Sequence, residues 1–319
     1  MSVGRTADGP IRARVILPDI ALTKGGWQHS PCSAKAKSRH DEAPAGADAL
    51  TRLGDGMNRI LEIIKWKDLI RNLVLKNLRI RYKGSALGFL WTMLNPMFMM
   101  FIYFIFIRLL RIAIDLPSLL VGILAWQYFV MCLSDSVNAI TAHPSLIKRT
   151  SFPRLVFPLS MVLANLINFL LSLIVLVLFL AVYSIFFGYT ISLGPALILL
   201  PAVILLQTAL VMGFSSFFAC CNVYFKDIEH IMSILLLAWF FLTPIMYPLE
   251  MVREQAGRLF NLYLLNPMVP VVALYRYVFL GMPPPAGPVF LFSCLLSLLI
   301  LVAGVAVFLK KELFFADEM

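Results

Sequence analysis

KWKDLIRNLVLKNLRIRYKGSALGFLWTMLNP, residues 65–96, decides how the rest of this chain is read. Taken as a helix, its first half puts Lys65, Asp68, Asn72, Lys76, Arg79 and Lys83 on one stripe at spacings of three and four. Trp66, Leu69, Ile70, Leu73 and Ile80 fall on the other side. A basic amphipathic helix of this kind lies in a membrane interface, apolar face down, with its cations near lipid phosphates. Through a Gly84-Ser85 break it runs directly into an apolar segment. Polybasic helices sit on the cytoplasmic leaflet, so this one orients everything that follows.

The composition agrees. Of 319 residues, 61% are hydrophobic and 14% charged, which excludes a soluble globular protein of this length. Residues 155–225 contain no Lys, Arg, Asp or Glu. At roughly 20 apolar residues per crossing, that tract holds two spans joined near Gly188, Gly194 and Pro195. The net charge of +10 is not a nucleic-acid signal, because eight cations and two acids, a net of +6, lie between residues 59 and 89 beside the membrane. The five cysteines show no metal-ligand spacing. Four of them lie in apolar spans and behave as small hydrophobes, so neither a metal site nor a disulfide framework is expected.

The chain divides into three parts. Residues 1–58 mix Arg, Lys, Asp, Pro, Gly and Ala without periodicity and read as a disordered extension. Organised sequence begins just after Met57, which is therefore an alternative start. Residues 59–86 form the amphipathic cytoplasmic interfacial helix, and 87–319 the all-α integral membrane domain. About six transmembrane helices are expected, at 89–110, 118–140, 156–184, 195–220, 229–247 and 287–309. Lys148, Arg149, Arg154, Lys226, Lys310 and Lys311 join the basic helix on the inner side. Arg108, Arg111, Arg253, Arg258 and Arg276 lie outside, so both termini are cytoplasmic. Between spans five and six, the apolar pieces 259–265 and 268–280 are each too short to cross and are split by Asn266-Pro267. They predict a re-entrant segment on the outer face; the alternative is one Pro-kinked span.

Several chemistries are missing from the sequence. No phosphate-binding loop of the G-x-x-x-x-G-K-[ST] type occurs, nor an H-E-x-x-H motif or a nucleophile elbow. His143 and His230 read as solvated interfacial histidines. Asp135 is the one acid positioned for ion coupling. With Ser134, Ser136 and Asn138 nearby, it marks where the second span surfaces. The energy source is therefore a partner. The inner loop SLIKRTSFPR, 145–154, combines apolar anchors with three cations and suits either docking into another protein's groove or a plain basic loop.

From about Asp68 onward the chain resembles the membrane subunits of ABC-2-type polysaccharide exporters, the group that serves O-antigen, capsule and teichoic acid. The stretches that carry the resemblance, in order, are LRIRYKGSALGFLWTMLNPMF, LIKRTSFPRLVFPLS, YFKDIEHIMSILLLAWFFLTPIMYPLEMV, NPMVPVVALYRYVFLG and FLKKELFFADEM. The resemblance implies a six-span subunit of the bacterial cytoplasmic (inner) membrane that pairs as a homodimer around a channel. A separately encoded ABC ATP-binding subunit would hold ATP-Mg, leaving this chain without a cofactor or catalytic residue. Lys148, Arg149, Phe152, Pro153 and Arg154 would correspond to the ATPase-coupling segment. Trp66, Lys76, Arg79, Arg81 and Lys83 would belong to the interfacial helix.

The implied cargo is lipid-linked polysaccharide. Tyr103, Phe104, Trp239, Phe240 and Phe241 are candidates for lining a channel, since aromatic faces tolerate a sliding sugar chain. Tyr275, Arg276 and Tyr277 are candidates for an outer gate. Arg79, Arg81 and Lys83 suit lipid phosphates. A nearer alternative keeps the fold but exports a drug or a lipid. A more distant one is an ion-coupled carrier working through Asp135.

Overall fold

The computed structural model describes residues 65–82, 90–110, 114–144, 152–188, 195–283 and 287–315. The expectations for the 1–58 extension, for residues 59–64, and for Lys83, Lys148 and Arg149 lie outside the described residues. Within them every regular element is helical. Helix α1 is Lys67–Tyr82, α2 Trp91–Leu110, α3 Leu116–Val137 and α4 Val156–Phe187. Then come α5, Leu200–Tyr224, entered through a 3-10 turn at Pro195–Leu199, and α6, Ile228–Phe241. Two short helices, α7 at Leu249–Ala256 and α8 at Phe260–Tyr263, precede α9, Met268–Leu280. Helix α10, Gly287–Lys311, ends in a 3-10 turn at Glu312–Phe314.

Four of these segments, α3, α4, α5 with its entry turn, and α10, are long and apolar enough to cross a membrane. This is a multi-pass membrane protein. The expected first span forms α2, whose apolar stretch is Met97–Ile107. The expected fifth forms only the 14 residues of α6, about 21 Å of helix, before the chain turns at 242–248. No continuous helix runs through 259–280. The chain breaks between α8 and α9, where the Asn266 side chain accepts from Met268 N at 3.0 Å and donates to the Leu242 carbonyl and Thr243 hydroxyl, both at 3.0 Å.

Helix α3 forms the centre of the bundle. Asp115 caps its start, accepting from Ser118 N at 3.2 Å, with Pro117 in the first turn where a missing N–H costs nothing. Most of its residues are buried, and α2, α4, α5, α6 and α9 all pack on it. Helix α9 is buried on nearly every side against α3 and α5. Helices α5 and α10 form the most extensive pair. They cross where Gly213 meets Gly304: a Cβ on Gly213 would run into the Ile300 carbonyl, and one on Gly304 into the Gly213 carbonyl. Buried Ser293 and Ser297 precede Gly304 on α10, so a row of small residues brings the two backbones together. Between helices immersed in lipid, that close approach is the main source of attraction.

Replacing Gly304 with Leu is therefore expected to pry α5 from α10. Overpacking of this kind costs on the order of 1–3 kcal/mol. Thermal unfolding of the purified protein in detergent should show a midpoint several degrees lower, while a Gly287→Leu control, at a position facing open space, should leave it unchanged.

Candidate functional site

At one end of the bundle, α1 lies against α4. Leu73 and Val74 are buried there, and Leu69, Ile70, Asn77 and Leu78 half-buried. Of the expected apolar face, Leu69, Ile70 and Leu73 meet α4 while Ile80 is 58% exposed, and Arg81 turns toward the bundle. Its guanidinium donates to Asn165 Oδ1 at 3.0 Å and forms an ion pair with Asp135 Oδ2, which also accepts from Asn165 Nδ2 at 2.8 Å. One turn earlier, Asn77 Nδ2 donates to Ser160 Oγ at 3.5 Å. Lys76 Nζ donates to His143 Nε2 at 2.8 Å, and His143 Nδ1 lies 3.2 Å from the Ala139 carbonyl. With Lys76 donating to Nε2, the proton of the neutral ring sits on Nδ1. Arg79 and Lys76 remain exposed.

The end of the expected coupling segment packs onto this same region. Phe152 lies 5.9 Å from the Trp66 ring and 5.6 Å from Phe157, whose ring stacks on His143 at 5.1 Å. The Pro153 and Arg154 carbonyls accept the first turn of α4. Arg154 is held internally. Its backbone N–H donates to Glu312 Oε2 at 3.3 Å, its guanidinium donates to the Glu312 carbonyl, and it lies 5.9 Å from the Phe315 ring centroid. Phe315 is fully buried against Phe308 and Tyr224. Helix α4, the end of α5 and the chain's last described turn are thus tied at Arg154.

The candidates for an outer gate lie inside the bundle. Tyr275 is 1% exposed and donates to Gln207 Oε1 at 2.8 Å; Gln207 in turn donates to the Ala125 carbonyl at 2.7 Å. Arg276 is buried, with Nε donating to the Ser118 carbonyl at 3.3 Å and a terminal nitrogen to the Ile245 carbonyl at 2.9 Å. The carbonyls satisfy its donors and the carboxylates of Asp115 and Glu250 lie nearby, as a charge so placed requires. Tyr277 is half-buried. These contacts fasten α9 to α3, α5 and the turn after α6.

The channel candidates separate into two places. Trp239 packs between Phe129 and Phe214, with its indole N–H donating to Asn266 Oδ1 at 2.9 Å. Phe240 lies against Trp126, and Phe241 is 62% exposed. Trp239 borders a cavity of about 610 Å³, lined chiefly by apolar side chains of α5, α6 and α8. Tyr103 borders a second cavity, of about 430 Å³, between α1, α2, α3 and α4, with Arg81 and Asn165 in its wall. Phe104 packs near Phe187 at 6.4 Å.

Against known proteins, residues 68–280 match the family described as ABC-2 type transporter. The chain belongs to the ABC-2 type transporter family. Over 265 residues it is 31% identical to the O-antigen export system permease protein RfbA of Myxococcus xanthus, covering 82% of this chain and 98% of that protein. An RfbA of Klebsiella pneumoniae is 33% identical over 217 residues, 67% of this chain and 81% of its own; a second from that organism is 30% identical over the same length.

In this ABC-2 transporter chain, sequence reasoning passed over Asn165, Gln207 and Glu312. Asn165 and Gln207 are carboxamides in the charge-free tract. An isolated polar side chain at membrane depth is itself a signal, because hydrocarbon offers it no partner. Glu312 carried no such mark, since its role arises only from the fold of the C-terminal turn.

His143 makes this end of the bundle sensitive to acid. Burial, reinforced by the Lys76 ammonium, holds its pKa below the usual 6.5. The neutral ring is the folded form, so its stabilisation is complete above the unfolded value and is lost as pH falls below it. Lowering pH from 7.5 to 5.5 should depress the unfolding midpoint more in the wild type than in His143→Gln. Equal depression in both would show that this contact does not titrate.

Proposed function

We propose that this chain is the membrane-spanning permease subunit of an ATP-driven exporter carrying lipid-linked polysaccharide of the O-antigen type across the bacterial cytoplasmic membrane. The observation that carries the reading is its similarity, across nearly the whole length of one relative, to proteins named as O-antigen export permeases. In this reading two copies pair around the export path, and a separate ATP-binding subunit with its ATP-Mg docks beneath them. Six spans follow the interfacial helix, with α2 and α6 as the first and fifth. The 249–288 segment is re-entrant, and both termini are cytoplasmic. The 13 residues of α9, about 20 Å long, and the Asn266 staple at its start support a segment that enters and returns.

The ATPase stroke enters through 145–154, with Lys148 and Arg149 binding the partner and Phe152 bearing on Trp66. Pro153 sets the turn into α4. Arg154 passes the movement to α4 and, through Glu312, to the end of α10. Trp239, Phe240, Phe241, Tyr103 and Phe104 serve as glycan-facing surfaces, and Tyr275, Arg276 and Tyr277 steady the outer segment of the path. An ion-coupled carrier is the weaker reading, because the Asp135 carboxylate is already matched by Arg81.

Tagged chain purified from native membranes in mild detergent should bring down an ATP-binding subunit in stoichiometric amount, with hydrolysis stimulated by lipid-linked glycan. Lys148→Glu combined with Arg149→Glu should insert normally but lose that subunit and abolish export. A chain that purifies alone and still moves solute in liposomes would overturn the reading.

A further inference from the structure

The cavity of about 430 Å³ between α1, α2, α3 and α4 falls in the size range of small-molecule sites, roughly 300–1,000 Å³. Its wall is unusual for a membrane bundle. Carboxamides enter it from three helices: Asn95 of α2, Gln127 of α3, and Asn165 with Asn168 of α4. On α4 the polar positions 165, 168 and 172 follow one face, covering about 10 Å of helix.

Gln127 is the most telling of them. It sits midway along α3, a helix that is otherwise apolar through its centre, and its side chain makes no hydrogen bond within the described residues. Gln127 is half-buried and faces the cavity, so its amide is free to bond whatever fills that space. Something polar belongs beside it.

The charge balance narrows what that is. Among the described residues Arg81 is the one charged residue in the wall, and it is already paired with Asp135. A site for an anion would leave its cation unmatched. A carboxamide both donates and accepts, as sugar hydroxyls do. Trp91 and Tyr103 add aromatic surface on α2, suited to the C–H face of a pyranose ring. Trp91 and Asn95 are exposed, which puts the mouth of the cavity at the α1 end of α2.

We infer that this cavity is a saccharide site taking the first sugars of the lipid-linked glycan, with Gln127 and Asn95 bonding their hydroxyls and Trp91 and Tyr103 flanking the rings. The inference rests on the export reading above and gives it a location: the glycan engages one protomer between α2, α3 and α4 before it moves outward.

The test uses the chain assembled with its ATP-binding subunit in lipid nanodiscs and carrying a photo-reactive amino acid at position 127. Three probes are compared without ATP: lipid-linked glycan extracted from the native membrane, sugar-free polyprenyl phosphate, and phosphatidylglycerol. Cross-linking to the glycan-bearing lipid alone is expected. In the otherwise unmodified complex, Gln127→Leu should raise the glycan concentration giving half-maximal ATPase stimulation about tenfold, and Gln127→Asn should recover part of that loss. Equal cross-linking of the two sugar-free lipids would make the cavity a lipid groove and overturn the inference. No cross-link to any probe, with Gln127→Leu saturating like the wild type, would leave only water in it and overturn it as well. Absence of stimulation in the wild type would instead sink the export reading, while the ATP-free cross-link still decides the cavity.

Discussion

Arg81 stands where three helices meet, and the arrangement of the basic end follows from how its charge is met. A guanidinium carried on an amphipathic helix beside a membrane can face water or lipid phosphate at little cost. Here it turns inward, to a carboxylate on α3 and a carboxamide on α4. Turned inward, it needs both. Asp135 balances the charge, and Asn165 bridges the two partners, so neither is left short of hydrogen bonds. Because the pair is about one-third exposed on each side, its Coulomb energy is modest. Its contribution is positional: it fixes the rotation of α1 about its own axis, and with it which residues of α1 meet the bundle.

Once α1 is set, the neighbouring contacts follow in sequence. Lys76 reaches His143, and Trp66 reaches Phe152. Phe157 closes the row between Phe152 and His143. Phe152 immediately precedes α4, and two residues on Arg154 grips Glu312 at the end of α10. Phe152 and Arg154 therefore join α1, α4 and the turn that ends α10. Arg154 is thus an internal strut, which leaves Lys148 and Arg149 as the cations of that segment proposed to meet a partner.

The opposite half of the bundle obeys the same rule in another form. Tyr275, Gln207 and the Ala125 carbonyl make one chain of hydrogen bonds, and Arg276 spends its donors on the Ser118 and Ile245 carbonyls. In hydrocarbon, polar groups on short or broken helices must find partners within the protein. Helix α9 is short, starts at a proline turn and is buried by α3 and α5, and these bonds hold it there. Gln127, half-buried in the wall of the cavity between α1, α2, α3 and α4, makes no such bond within the described residues, and it points to a ligand.

The sequence by itself determined the class of the protein and much of its order along the chain. A tract of 71 residues without Lys, Arg, Asp or Glu (155–225) and a basic amphipathic helix ahead of the first apolar segment force membrane crossing on energetic grounds alone. Five stretches in order between residues 78 and 319 were enough to suggest the family. What residues meet inside was decided only by the tertiary structure. Helices that are apolar all round carry no periodic mark of their buried face, so Gly213 and Gly304, Gln207 and Tyr275, or the walls of the cavity beside Gln127, were not legible as pairs. In α1, whose pattern is strongly amphipathic, the spacing marks Leu69, Ile70 and Leu73, which do meet the bundle, but not the inward turn of Arg81, whose partner Asp135 lies 54 residues further along the chain. Hydrophobic spacing says that a helix has an inside; only the neighbours say where it is.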